Sequence, residues 1–178
     1  MNILAFGASS SKTSINQTLA DHVASLISKK YILIDLNDYE MPLYSIDREQ
    51  HMGIPEQAHA FLKQIHAADL IIISLSEHNG AYTAAFKNVF DWTSRVELKL
   101  FENKKMILLS TSPGGHGGQT VLDMALQRFP RHGAEIIGHL ALPFFKTNFD
   151  LEKGIIDDSY RAKLNDILRL IQTTSHPS

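Results

Sequence analysis

Hydroxyl side chains are crowded into one short stretch near the start of the chain, FGASSSKTSIN, residues 6–16. The stretch follows an apolar run and precedes a helical pattern, so its N–H groups would lie at a helix N-terminus, where the dipole favours an anion. A single hydroxyl from Ser14 or Thr13 is enough to cap a helix, and this alternative stays open. The five hydroxyls of residues 9–14 favour a phosphate site instead. Ser9, Ser11, Thr13 and Ser14 can add hydroxyl donors, and Lys12 adds a charge.

The stretch lacks the spacing of other nucleotide and nucleophile loops. Gly7 is its only glycine, so it is neither a G-x-G-x-x-G dinucleotide loop nor a G-x-x-x-x-G-K-[ST] loop. A G-x-S-x-G nucleophile elbow begins at Gly7 and Ser9 but fails at Ser11, where the second glycine would stand. A Ser-His-Asp hydrolase built on Ser9 is therefore a disfavoured alternative.

Two further loops contain residues that let a backbone approach a flat ligand. SEHNGAYT, residues 76–83, follows the third predicted strand, and SPGGHGG, residues 112–118, follows the fourth. The latter has four glycines within five positions, more than an ordinary turn needs. Since parallel sheets bind ligands beyond the carboxyl ends of their strands, we expect both loops and the phosphate turn to line one site.

The nine histidines could indicate a metal site, but their spacing does not support one. No two of them are four residues apart, the spacing by which one helix presents two ligands. We interpret them as surface residues and expect no metal. His78 and His116 differ only because they lie in the ligand-facing loops. Trp92 is predicted to belong to the core or to a subunit interface.

Composition excludes several classes of protein. A chain of 178 residues is typical of one domain, and we expect residues 1–178 to form one, with a frayed tail from about residue 174. The absence of cysteine excludes disulfides and thiolate sites. A net charge of -2 argues against nucleic-acid binding. No membrane-spanning or signal segment is evident, so we expect a soluble cytoplasmic protein.

Apolar runs alternate with helical patterns, which predicts an α/β fold with a parallel sheet and right-handed crossovers. The segment from residue 37 to residue 55 is predicted to be a long irregular loop, broken by Pro42 and Pro55. Strands are predicted at residues 2–6, 31–36, 69–75, 105–111 and 134–142, and helices at about 14–28, 56–67, 84–95, 119–131 and 157–173.

Together the three loops resemble the NAD(P)H-dependent FMN reductases of flavodoxin-like fold, and the resemblance runs to about residue 142. The family pattern G-S-x-R-x-x-S-x-N is matched by Gly7, Ser9, Ser14 and Asn16. The pattern P-E-Y-N-x-S-x-P-G-x-L-K-N-x-x-D-W is matched by Glu77, Asn79, Gly80, Lys87, Asn88, Asp91 and Trp92, and S-x-S-P-G-x-x-G-G by Ser110, Ser112, Pro113, Gly114, Gly117 and Gly118. Departures are Ser11 for arginine, Ser76 for proline, His78 for tyrosine, and Thr83 and Ala84 for Pro-Gly.

The resemblance implies a three-layer flavodoxin-like fold whose five-stranded parallel sheet has the order 2-1-3-4-5. It implies an enzyme in which FMN carries the chemistry, with NADPH or NADH as co-substrate and a quinone, an azo compound or another small oxidant as acceptor. A homodimer or homotetramer is expected. The alternative is a flavin-binding electron carrier with little turnover. No catalytic side chain is assigned, and the residues implied in cofactor binding are Ser9, Ser11, Lys12, Ser14, Ile15, Asn16, Ser76, Glu77, His78, Asn79, Gly80, Ser112, Pro113, Gly114 and Gly115.

Overall fold

The structure is a computed structural model that describes residues 1–174. The tail predicted to fray lies outside these residues, apart from Thr174 itself. Two 3-10 helices, Leu36–Tyr39 and Phe129–His132, interrupt the main elements. In chain order these are β1 (Ile3–Ala8), α1 (Ile15–Ile27), β2 (Ile32–Leu33), α2 (Ile46–Met52), α3 (Glu56–Ala67), β3 (Leu70–Leu75), β4 (Glu77–His78), β5 (Ala81–Tyr82), α4 (Ala84–Val96), β6 (Lys104–Thr111), α5 (Gln119–Arg128), β7 (Ala134–Leu142), α6 (Phe145–Asn148), β8 (Phe149–Asp150), β9 (Gly154–Ile155) and α7 (Asp158–Thr174).

Five parallel strands form the central sheet in the order β2-β1-β3-β6-β7. Since β6 and β7 are the fourth and fifth strands of this sheet along the chain, the predicted order 2-1-3-4-5 is confirmed. Every residue of β1 and β3 is buried, because helices cover both faces of the sheet. Leu4 and Phe6 pack on the face covered by α3, α4 and α5. Ile3 and Ala5 pack on the opposite face, against α1 and α7. The alternation follows from the two-residue period of a strand.

The segment between β2 and α3 differs from its prediction. The second strand is only two residues long, because the Asp35 carboxylate accepts the N–H of Asn37 and starts a 3-10 helix. The prediction of an irregular loop after it was wrong. Helix α2 forms there, capped by the Ser45 hydroxyl, which accepts the N–H of Arg48, and ending at Gly53 with φ 75°.

The helix predicted at 119–131 ends as an α-helix at Arg128 and continues as a 3-10 turn that contains Pro130. Proline has no N–H to continue the α-helical ladder, which accounts for the change. None of the helices in the described part of the chain is long and apolar enough to cross a membrane. Residues 1–174 also contain no group of three or more His, Asp or Glu side chains placed to hold a metal ion.

Candidate functional site

Gly7 allows the end of β1 to lie directly against the first turn of α1. A Cβ added at Gly7 would lie 2.4 Å from the backbone nitrogen of Gln17 and 2.7 Å from its Cα, so no other residue fits. The Gly7 N–H donates to Oε1 of Gln17 at 2.6 Å, and Nε2 of Gln17 donates to the Ile34 carbonyl. These contacts hold the strand, the helix and the start of the 34–37 segment in fixed positions around the turn.

The serine hydroxyls of this turn accept hydrogen bonds from its own backbone. Ser9 Oγ accepts the N–H of Ser11 at 3.1 Å, and Ser14 Oγ caps α1 by accepting the N–H of Gln17 at 3.2 Å. Each hydroxyl still has its hydrogen to donate to a ligand. The turn is therefore shaped by its own side chains before any ligand arrives, and the helix-cap alternative for Ser14 is also satisfied.

Backbone donors remain free at the N-terminus of α1. Among residues 1–174, the N–H groups of Lys12, Ser14, Ile15 and Asn16 have no hydrogen-bond partner. Free N–H groups at a helix N-terminus, beside the positive end of its dipole, fit a phosphate. The residues present therefore fit the phosphate group of FMN.

The one lysine of the turn is already engaged. Lys12 Nζ lies 3.2 Å from a carboxylate oxygen of Asp35, and its side chain is 74% exposed. The pKa of Asp35 lies below its usual value, mainly because its carboxylate accepts the Asn37 N–H and secondarily because of Lys12. Lys12 thus brings less net charge to a bound anion than its position in the sequence indicates.

The Asn16 side chain is buried, and both its amide nitrogen and its amide oxygen form hydrogen bonds inside the protein. Its Nδ2 donates to the Thr111 carbonyl at 3.1 Å, and its Oδ1 accepts the Ser74 hydroxyl at 2.7 Å and the Thr111 N–H at 3.0 Å. The amide therefore joins α1 to β3 and β6. A role of Asn16 in cofactor binding stays a prediction, and its backbone N–H is free for it.

The loop at residues 76–83 is a β-hairpin that the sequence interpretation missed. β4 pairs with β5 in antiparallel register, and the two turn residues Asn79 and Gly80 have φ of 52° and 73°. Asn-Gly is the preferred pair for such two-residue turns, so the signal was present in the sequence. His78 and Asn79 are exposed at the tip, while Ser76 at its base is buried.

Two side chains fix this hairpin to its neighbours. Glu77 Oε2 accepts the Val121 N–H at 3.1 Å, which ties β4 to the first turn of α5. Thr83, which replaces the family's proline, donates its hydroxyl to the Ala8 carbonyl at 2.9 Å and caps α4 by accepting the Phe86 N–H. The hairpin base therefore lies beside the carboxyl end of β1.

The glycine-rich loop at residues 112–118 is packed against the residues that follow β7. The N–H groups of Phe144 and Phe145 donate to the carbonyls of Gly114 and Ser112 at 3.0 and 3.1 Å. A Cβ on Gly117 would lie 2.9 Å from the Pro143 nitrogen, which explains why a glycine stands there. Gly114 has open space where its Cβ would point, so a flat ligand can approach its backbone.

Phe144 is a neighbour of this loop that the sequence did not reveal. Its ring would lie 2.8 Å from a Cβ on Gly115, and it is half exposed. Its φ of 46° is in the left-handed region, which is unusual for a bulky residue. The contact joins residues far apart in the chain, so no local pattern could have predicted it.

The three predicted loops meet at the carboxyl edge of the sheet, as expected. Asn16 joins the phosphate turn to the end of β6. Thr83 joins the hairpin at residues 76–83 to the end of β1, and Glu77 joins the same hairpin to α5, the helix that follows the glycine-rich loop. The predicted cofactor residues at 9–16, 76–80 and 112–115 thus lie on neighbouring loops. Their individual contacts with a cofactor stay predictions.

Asn88 and Trp92, from the second family pattern, hold the segment after β2. The Asn88 amide donates to the Met41 carbonyl at 2.9 Å and accepts the Tyr44 N–H at 2.8 Å. Trp92 is fully buried, as predicted, and its Nε1 donates to the Pro42 carbonyl at 2.7 Å. A cavity of about 400 Å³ lies between this segment, Ser10 of the phosphate turn and the start of α4.

Sequence comparison places the chain among flavin-dependent reductases. Residues 1–147 match the profile of the family described as NADPH-dependent FMN reductase. An NAD(P)H-dependent FMN reductase of Pseudomonas aeruginosa is 28% identical over 148 residues, covering 78% of this chain and 76% of that protein. A quinone reductase of Escherichia coli is 33% identical over 79 residues, which cover 44% of this chain and 42% of that protein.

Structural comparison agrees on the fold. The flavoenzyme NAD(P)H:(acceptor) oxidoreductase of Paracoccus denitrificans superposes with a TM-score of 0.76 at 17% identity, covering 97% of each chain. An azoreductase of Bacillus anthracis superposes with a TM-score of 0.63 at 14% identity, over 97% of this chain and 99% of that one. At these identities the likeness supports the three-layer fold, which confirms the predicted fold class.

Proposed function

The chain belongs to the NADPH-dependent FMN reductase family, and we propose that it transfers electrons from NADPH or NADH, with FMN as its cofactor, to a quinone, an azo compound or another small oxidant. It is an oxidoreductase of the FMN reductase and quinone reductase type. The observation that carries the proposal is the meeting of three loops around four free N–H groups at the start of α1.

The phosphate of FMN would be held mainly by neutral donors. The hydroxyls of Ser9 and Ser14 and the free N–H groups from Lys12 to Asn16 supply these donors, and the helix dipole contributes about 0.3–1 kcal/mol. Ser11 replaces the arginine of the family pattern and brings no charge. The hairpin at residues 76–80 and the loop at residues 112–115 would hold the flavin ring.

When bound, FMN would supply the redox chemistry that links oxidation of the reduced nicotinamide to two-electron reduction of the acceptor. The contribution of the chain is binding, orientation and electrostatics. Within the described residues the N–H groups of Gly114 and Gly115 have no partner, and such oriented dipoles stabilise negative charge that develops beside them. No acidic or basic side chain is needed for these tasks.

A homodimer or homotetramer in the cytoplasm completes the proposal. Leu43, Ile46 and Met52 are at least half exposed, with Leu43 at 68%, and all three lie in the segment after β2. Leu43 also lines the cavity beside the phosphate turn. Exposed large apolar side chains are often part of a subunit interface, and an interface through this segment would border the cofactor site. Light scattering on the purified protein would give the assembly state.

The central experiment compares FMN with riboflavin, which lacks the phosphate. Ser9→Ala should weaken FMN binding about tenfold, the contribution of one charge-assisted hydrogen bond, and leave riboflavin binding unchanged. Ser10→Ala is the matched control, because Ser10 lies in the same turn and outside the predicted set. Calorimetry would measure both affinities. Equal losses for the two flavins would place the phosphate elsewhere.

The Lys12–Asp35 pair gives a second test of the same site. Lys12→Ala should reduce FMN affinity less than Ser9→Ala does, and its effect should fade as salt is added. Asp35→Asn should raise the affinity, because it releases Lys12 and removes a nearby negative charge. A loss of affinity in Asp35→Asn would contradict a phosphate in this turn.

Turnover separates the enzyme from the electron carrier. The FMN-loaded protein should oxidise NADPH or NADH continuously when a quinone is present. Tight FMN binding with no steady oxidation by any acceptor would favour the carrier. Failure to bind FMN at tens of micromolar would reject both.

A further inference from the structure

A second cavity, of about 430 Å³, lies between α4 and α5 and is separate from the proposed FMN site. Its lining shares no residue with the predicted cofactor set. Six residues of the lining supply two aromatic side chains, one thioether, two guanidinium groups and an imidazole: Tyr82, Phe90, Met124, Arg128, Arg131 and His132.

Two polar atoms in this lining are buried and lack a partner among the described residues: Oη of Tyr82 and Nε2 of His132. His132 is 3% exposed, so its interpretation as a surface residue was wrong. Its Nδ1 lies 2.5 Å from the Leu98 carbonyl, which can only accept, so Nδ1 carries a proton, and in the tautomer protonated at Nδ1 alone Nε2 is an acceptor. Buried polar atoms are almost always paired, so these two call for an explanation.

The charged groups of the cavity are predominantly positive. Lys87 forms an ion pair with Asp91, with Nζ 2.7 Å from both carboxylate oxygens. In the described part of the chain, Arg128 and Arg131 form no ion pair and both are exposed. A planar guanidinium group prefers a carboxylate as its partner.

Besides the polar Ser94 and Gln127, the lining contains aromatic and thioether side chains that suit a flat ring. The Phe90 ring lies 4.8 Å from the His132 ring, edge to face, and the Tyr82 ring stacks on Phe129 at 6.2 Å. Met124 adds a flexible, polarisable thioether that is 38% exposed. Neither orphan atom is exposed to solvent, so a ligand gains their hydrogen bonds only if the side chains of the lining move.

We propose that this cavity binds a small aromatic carboxylate that carries a ring hydroxyl. The carboxylate pairs with Arg128 and Arg131, the ring packs on Phe90 and Met124, and the hydroxyl donates to Nε2 of His132. A volume of about 430 Å³ is within the usual range for small-molecule sites. The site is independent of the redox reaction proposed above and requires no bond to form or break.

Binding of 4-hydroxybenzoate to the full-length, FMN-loaded protein tests the proposal by calorimetry or ligand-observed NMR. We expect a Kd below about 1 mM. Benzoate, without the hydroxyl, should bind three- to tenfold more weakly, about one hydrogen bond. The neutral 4-hydroxybenzamide should bind at least about tenfold more weakly, because it offers no carboxylate to the guanidinium groups. Flavin absorbance of the same sample reports FMN occupancy separately.

Variants assign the contacts. Arg128→Gln and Arg131→Gln should each weaken 4-hydroxybenzoate about tenfold, while Lys29→Gln, an exposed cation outside the cavity lining, should have no effect. His132→Gln would remove one of the two orphan atoms, but it also alters the core and can prevent folding. Tyr82→Phe is therefore the second variant, because it removes the other orphan atom and leaves the aromatic ring in place.

Three results would overturn the proposal. One is no binding of 4-hydroxybenzoate at about 5 mM to protein that retains its FMN. Another is unchanged affinity in both arginine variants. The third is a change of assembly state in those variants without ligand, which would make this face an interface between copies of the chain.

Discussion

Replacing Asn16 tests whether its amide braces the site or binds the cofactor. Asn16→Ala removes three hydrogen bonds, one to the Ser74 hydroxyl and two to the Thr111 backbone, all of them buried. Each bond is worth about 1 kcal/mol net, and an orphaned buried N–H or hydroxyl adds a desolvation penalty of about 1–3 kcal/mol. We therefore expect a loss of about 3–5 kcal/mol, a large share of the roughly 5–15 kcal/mol that stabilises a domain.

Urea unfolding of the flavin-free protein would measure this loss, with Ser74→Ala as the smaller control at about 1 kcal/mol. The double variant should show a coupling energy of about 0.5–3 kcal/mol, because the two side chains share a bond. If Asn16 is a brace, Asn16→Ala weakens FMN and riboflavin equally. A stability change below about 1 kcal/mol, joined with a loss specific to FMN, would refute the reasoning and place the amide on the phosphate.

Three further predictions concern the core around the site. Burial lowers the pKa of His22 from 6.5, against the opposing effect of Asp21, so the unfolded chain binds this proton more readily; the free energy of unfolding should fall as pH drops below about 6.5, and His22→Gln should flatten that fall in urea titrations at several pH values. Ser110→Ala should raise the thermal midpoint by stabilising the fold by about 1 kcal/mol, because the buried Ser110 hydroxyl has no partner in the described structure; a lower midpoint would reveal one. Gly7→Ala should lower both the midpoint and FMN affinity, since its Cβ would lie 2.4 Å from backbone; unchanged values of both would contradict the close approach.

Some elements could be read from the sequence because their limits are set locally. Helix α3 begins and ends at the predicted residues, after Pro55 and before the strand pattern. The limits of the edge strand β2 could not be read, because the six residues predicted for it, 31–36, include Asp35, whose carboxylate accepts the Asn37 N–H and starts a 3-10 helix. Its residues are also exposed, at 49% for Ile32, so burial does not extend the strand.

The candidate site likewise contains features that local sequence signals predict and contacts that they do not predict. The Asn-Gly turn of the hairpin and the Ser45 cap of α2 have recognisable sequence signals, although neither element was predicted. The pairing of Lys12 with Asp35 and the contact of Phe144 with Gly115 join residues that are distant in the chain. Such contacts depend on the order of strands in the sheet, which local patterns do not determine.

The family patterns combine two kinds of residue, and the structure separates them. The side chains of Asn16, Asn88 and Trp92 form hydrogen bonds with other parts of the chain, so the fold requires these residue types. Ser11 and His78 depart from the pattern and are exposed, so these changes leave the buried core intact. The chain therefore keeps the buried contacts made by the family patterns and differs from the patterns at exposed positions. Differences in affinity and acceptor range within this fold should accordingly arise at its exposed loop positions.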